Sequence, residues 1–164
     1  VTTMRPSVRI IADASHCPET GAGGYAFQVN VGNRNYFRSG QLKKLMPTNG
    51  AAELASVVNS LAWISINNIV RKGDKVIIFT DCKYVISRLA GQVMQTCSSS
   101  EKMHSVYNLI IKEFNLTVEI VHIKAHQPKL EIDAEGSVHN ACDRAARKAM
   151  RQKRKTTTTE GSLL

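Results

Sequence analysis

The stretch VIIFTDCKYVI, residues 76–86, decides the fold. Four apolar residues run without alternation into Thr80 and Asp81, which predicts a strand covered on both faces, at the centre of a sheet. KYVISRLAG, residues 83–91, then turns amphipathic and predicts a short helix. A carboxylate at the end of such a strand has two explanations. Asp81 caps the helix that follows, a common use of aspartate, or it belongs to a site built at the strand end.

Upstream, VRIIADAS at residues 8–15 reads as a buried strand ending in polar residues. GAGGYAFQVNVG gives a turn and a second strand, and NYFRSGQL a third, after a reversal near Asn33. Connections this short make the three an antiparallel meander. From Gly50 the apolar period becomes helical, with Leu54, Val57, Val58, Leu61 and Ile64 on one stripe and Gly73 closing the helix. Downstream, Ser100 to Phe114 predicts another helix and LTVEIVHIKAH a fifth strand. A last helix runs from about Gly136 to Arg154. The closing TTTTEGSLL has no packing face and is expected to be disordered. The domain reading is therefore one unit over residues 1–150 and a basic disordered tail over 151–164.

The chain has 164 residues, 43% of them apolar, enough for one core without staples. No apolar run reaches the length of a membrane span, and VTTMRPSVRI lacks the long apolar segment of a secretory signal. Cys17, Cys82, Cys97 and Cys142 are scattered, without metal-finger spacing, so reduced thiols and an intracellular setting (cytoplasmic, nuclear or viral) are expected. Net charge is +9, unevenly placed: residues 144–164 hold seven basic residues and one acidic, leaving 15 basic against 12 acidic before them. Such an end is either a solvated tail or a contact for an anionic polymer.

The order βββαβααβα carries a geometric consequence. With strand one pointing up, strands three, four and five also point up, and the first helix starts at the top. Asp13 and Asp81 then sit at the upper ends of strands one and four. Glu53 lies in the first turn of that helix and Asp143 early in the last one. Three of them have a structural use: Asp13 in a turn, Asp81 as a cap, Glu53 at a helix dipole. Glu53 nevertheless occupies the core stripe, four residues before Val57, and Asp143 shares its face with Ala146 and Met150. Four carboxylates at one edge repel, and hard oxygen donors without histidine or thiolate favour Mg²⁺ or Mn²⁺. Two such ions can clamp the attacking and leaving oxygens of a phosphodiester.

At these residues the chain resembles the type 1 ribonuclease H family, up to about residue 150. DASHCPETGAGGYAF is similar to the family's opening strand and glycine-rich turn, TNGAAE to its helix start, and FTDCKYV to its strand-ending aspartate. HIKAH is similar to the end of its fifth strand, and NACDRAARKA to its final acidic helix. The resemblance implies an α/β ribonuclease H-like fold, a five-stranded mixed sheet ordered 3-2-1-4-5 and flanked by helices. It implies cleavage of the RNA strand of RNA–DNA hybrids, leaving 3′-hydroxyl and 5′-phosphate ends. Asp13 would bridge two Mg²⁺ or Mn²⁺ ions, Glu53 and Asp81 would complete one site, and Asp143 would help hold the other ion. His126 would assist proton movement or product departure. Backbone groups of Ala14 and Ser15 and the side chains of Thr48 and Asn49 would meet 2′-hydroxyls, although Thr48 and Asn49 also suit a helix cap.

The sequence departs from the family pattern at Ala14, at Glu19-Thr20-Gly21 and at Gly50. His139 stands four residues before Asp143, where asparagine is frequent. LAGQVMQTCSSSEKM, residues 89–103, leaves no room for the basic protrusion of many cellular members, so the basic helix from Arg144 to Lys155 is the expected grip. Trp63 is expected in the core. The expected partner is a hybrid, with the chain a monomer or a domain of a larger replication or reverse-transcription protein, away from membranes. The alternatives are a resolvase- or transposase-type metal nuclease on the same fold, and a non-catalytic nucleic-acid-binding module.

Overall fold

The computed structural model describes residues 4–92, 97–124 and 134–162, and in the last segment the side chains of 137–156. Its elements follow the predicted order: β1 (Val8–His16), β2 (Gly23–Val31), β3 (Arg34–Gln41), α1 (Asn49–Ile66), β4 (Lys75–Thr80), α2 (Lys83–Leu89), α3 (Ser98–Phe114), β5 (Thr117–His122) and α4 (Ala134–Ser162). The sheet runs β3-β2-β1-β4-β5. The β1–β2 and β2–β3 pairs are antiparallel, and β1–β4 and β4–β5 are parallel.

Alternation along the central strands divides the core. Val8, Ile10 and Ala12 of β1 and Val76 and Ile78 of β4 face α1 and α3, packing with Leu54, Leu61, Ile64 and Ile110. Ile11 and Phe79 face the other way, against Cys142 and Ala146 of α4. Such a two-faced apolar strand is what the run VIIF announces. Edge strand β3 is mostly exposed, and β5 alternates between exposed and half-buried residues.

A glycine sets how closely α4 approaches. A Cβ on Gly24 of β2 would lie 2.2 Å from the Ala146 carbonyl oxygen and 2.4 Å from the Met150 nitrogen, so only a bare backbone permits this approach. Gly50 has a comparable reason, because the Tyr84 ring lies 2.7 Å from where its Cβ would be.

Two expected boundaries are corrected. The first helix ends at Ile66, not near Gly73. Asn68 takes a left-handed φ of 56° there. The Ile69 and Asn68 amides donate back to the Ile64 and Ser65 carbonyls, at 2.9 and 3.3 Å, closing a Schellman motif. The helix of residue 136 onward continues to Ser162, through most of the segment expected to be disordered. Gln, Lys and Arg at 151–155 are good helix formers, and extending an existing helix adds a bond for each residue fixed.

Candidate active site

Register places the first two carboxylates. Ile11 pairs with Phe79 across the parallel β1–β4 ladder, and Asp13 and Asp81 each lie two residues further on. Both side chains therefore project to the face occupied by Ile11 and Phe79, the face covered by α4. The helix contributes there too. The Cys142 thiol points at the Ile11 carbonyl at 3.8 Å, and one turn earlier His139 enters between the aspartates.

Its Nε2 stands 3.6 Å from Asp13 Oδ2 and 3.4 Å from Asp81 Oδ2. The His139 and Asp13 side chains are buried, and that of Asp81 is 18% exposed. Neither contact has hydrogen-bond geometry, so Nε2 is a buried polar atom without a hydrogen-bond partner. Glu53 arrives from the other side of the sheet. It is buried in the first turns of α1, and its Oε2 accepts the Ala14 amide at 3.1 Å.

The charges reflect this crowding. Burial raises the Asp13 carboxyl; His139 offsets part of that rise, and Asp81 and Asp143 add to it. Burial raises Glu53 well above the usual carboxylate range, with Asp13 and Asp81 pushing it further. Burial works against a charged imidazole at His139, yet the two aspartates outweigh it and hold the ring up at about 10. Three acids, Asp13, Glu53 and Asp81, and one base thus share a little-hydrated space.

Asp81 does not hold the N-cap position of the helix that follows it. The capping residue of α2 is Cys82, one position further on, and it makes no side-chain cap bond. Thr48 is a cap: its Oγ1 accepts the Ala51 amide at 3.1 Å at the start of α1, and Asn49 is the helix's first residue. The Ala14 amide, one of the backbone groups expected near substrate, donates to Glu53 in a buried position. Ser15 is half-buried and pairs with Gly24. Asp143 lies at the margin, 19% exposed, bridged to Arg147 by contacts of 3.2 and 3.3 Å. His126 lies outside the described residues.

The donor set differs from expectation in one member. Among the described residues, the atoms close enough to share a metal ion come from Asp13, Asp81 and His139, all within 4.8 Å of one another. An imidazole nitrogen thus stands beside two of the carboxylates expected as donors. The signal was the histidine four residues before Asp143, which one helical turn puts on the same face. The set fits a divalent cation, since crowded buried carboxyls gain most from one and Nε2 has no hydrogen-bond partner.

The sheet order and the acidic strand ends define a protein of the ribonuclease H-like fold class. The RNase H family pattern matches residues 5–151, and the chain belongs to the RNase H family of nucleases. Comparison with curated protein sequences gives no match. Among solved structures, the chain is similar to the N-terminal RNase H domain of a Mycobacterium tuberculosis protein fused to maltose-binding protein. That likeness has TM-score 0.67 and 16% identity, covering 88% of this chain and 98% of the other. RNase H1 from the halophilic archaeon Halobacterium salinarum gives 0.65 and 15%, covering 89% and 98%. LC11-RNase H1, solved in complex with an RNA/DNA hybrid, gives 0.66 and 14%, covering 89% and 98%.

Proposed function

We propose that this chain is a metal-dependent endonuclease that hydrolyses the RNA strand of RNA–DNA hybrids, giving 3′-hydroxyl and 5′-phosphate ends. The observation that carries the reading is the gathering of Asp13, Glu53 and Asp81 at one sheet edge, two of them buried with raised carboxyls. Asp13 and Asp81 would hold Mg²⁺ or Mn²⁺, with Glu53 and Asp143 completing a pair of sites. When bound, such ions supply Lewis-acid charge at the scissile phosphate and lower the pKa of water.

The chain's own residues hold that arrangement in place. The Ala14 amide orients the Glu53 carboxylate, and the Thr48 cap fixes the start of the helix that carries it. His126 would carry protons to and from the site. Thr48, Asn49 and Ser15 would meet the hybrid's minor groove and read its 2′-hydroxyls. Basic groups from two places would meet its phosphates. Lys43 and Lys44 follow β3, and α4 brings Lys153 Nζ to 3.4 Å from the Lys43 carbonyl, beside Arg151 and Arg154. Loss of residues after Ala146 would then raise KM more than it lowers turnover.

The test is cleavage of an end-labelled hybrid in Mg²⁺ or Mn²⁺, beside matched RNA and DNA duplexes. The RNA strand of the hybrid is expected to be cut and the duplexes spared, with Asp81→Asn binding the hybrid but leaving it whole. A hybrid that wild type binds but leaves whole in both metals would mark a non-catalytic binding module instead. Equal cutting of the DNA duplex would favour a resolvase- or transposase-type nuclease.

A further inference from the structure

We infer that His139 Nε2 is itself a metal ligand. With Asp13 and Asp81 it makes a mixed nitrogen–oxygen site selecting a transition-metal dication that accepts nitrogen, Co²⁺ or Zn²⁺ most and Mn²⁺ next, over Mg²⁺. This rests on the reading that the acidic edge holds a cation, and specifies which kind.

Three observations carry it. The ring is almost wholly buried, so its nitrogen has no solvent to satisfy it, and Nε2 has no hydrogen-bond partner. That nitrogen lies with Asp13 and Asp81 oxygens in a group whose ligand atoms are all within 4.8 Å of one another. The separations of 3.4 and 3.6 Å also carry geometric information. Tetrahedral ligands about 2.1 Å from a zinc-like ion stand about 3.4 Å apart. Octahedral neighbours around Mg²⁺, at about 2.05 Å, stand about 2.9 Å apart. The two spacings found are wider than an octahedral Mg²⁺ shell sets and nearer those of a larger or tetrahedral, nitrogen-accepting ion.

The donor chemistry points the same way. Mg²⁺ prefers oxygen and keeps its waters, whereas imidazole favours later first-row dications. On ligation the imidazole gives up its Nε2 proton to solvent, and the dication takes over the role of neutralising Asp13 and Asp81. The ring does not have to move into the site, because α4 is already held against the sheet at Gly24 and Cys142.

The experiment loads the full chain with Mn²⁺ and records pulsed electron paramagnetic resonance. It also measures Mn²⁺ and Mg²⁺ affinity by calorimetry for wild type and His139→Asn. A directly bound ¹⁴N coupling is expected in wild type. The substitution should remove that coupling and weaken Mn²⁺ at least about tenfold, with under about threefold change for Mg²⁺. Bound Mn²⁺ without nitrogen coupling overturns the inference, as does a variant that binds Mn²⁺ equally or more tightly, which would make the ring a counter-charge only. If His139→Asn does not fold, the wild-type spectrum decides alone. A wild type that cuts hybrid with Mn²⁺ but shows no nitrogen coupling sinks this inference and leaves the nuclease reading standing. A wild type that binds neither ion sinks both.

Discussion

Strand β4 has an aspartate just before it and another just after it, and the two lead opposite lives. Asp74, at the lower end, is buried and fully engaged. Its oxygens accept Arg5 Nε at 3.0 Å, Arg5 Nη2 at 3.2 Å and the Arg71 amide at 2.8 Å. At the upper end Asp81 stands beside Asp13, Glu53 and the His139 ring, whose Nε2 has no hydrogen-bond partner. One carboxylate is neutralised within the fold, while the other belongs to a group that the protein alone leaves too negative. Burial of an acid therefore says little about function until its partners are counted.

The largest test of that contrast is Glu53→Gln. The amide still accepts the Ala14 N–H but carries no charge, so hybrid cleavage should fall at least about 100-fold, beyond the loss usual for an outer-shell partner. Without metal, its melting temperature should equal or exceed that of wild type. The sign follows from the raised carboxyl: stability contributed by a protonated Glu53 is present at low pH and lost as pH rises through the folded value. Scanning calorimetry with chelator should show the gap widening from acid toward neutral pH. A glutamine variant that melts well below wild type would make Glu53 a structural acid like Asp74.

Next comes Gly24→Ala, which forces α4 away from the sheet and should cost about 3 kcal/mol, seen in denaturant unfolding. It also moves His139 off the aspartates, so Mn²⁺ should bind more weakly in the fraction that folds. Asp74→Asn is the mirror experiment to Glu53→Gln. It removes the charge that Arg5 answers and should cost about 2 kcal/mol, with cleavage per folded molecule unchanged. Activity lost in step with stability at Asp74 would erase the distinction between the two ends. The smallest effect is Thr48→Ala, which leaves the Ala51 amide without its cap and should cost about 1 kcal/mol.

The fold was legible because its signals are local. Unbroken VIIF marks a two-faced strand, and the switch of period at Gly50 marks the first helix. The end of that helix was misplaced because Asn68, adopting a conformation usually left to glycine, stops it before Gly73 does. Past Arg154 the helix runs on to Ser162, beyond its expected end, as a continuation of α4 that needs no apolar face. At the site, Asp13, Glu53 and Asp81 were readable from strand ends and a helix start. His139 was visible as an odd residue beside Asp143, but its partners come from β1 and β4. Only the assembled register shows that its nitrogen lies between them.

The parallel pairing of β1 with β4 also sets a timetable. Val8 meets Val76 only after the meander and the whole of α1 have been made, and α4 is added later still. During synthesis the early hairpins can form on the ribosome while Asp13 waits, still hydrated, for its neighbours. The acidic group is completed last, so an unfinished copy of this chain holds the acids apart.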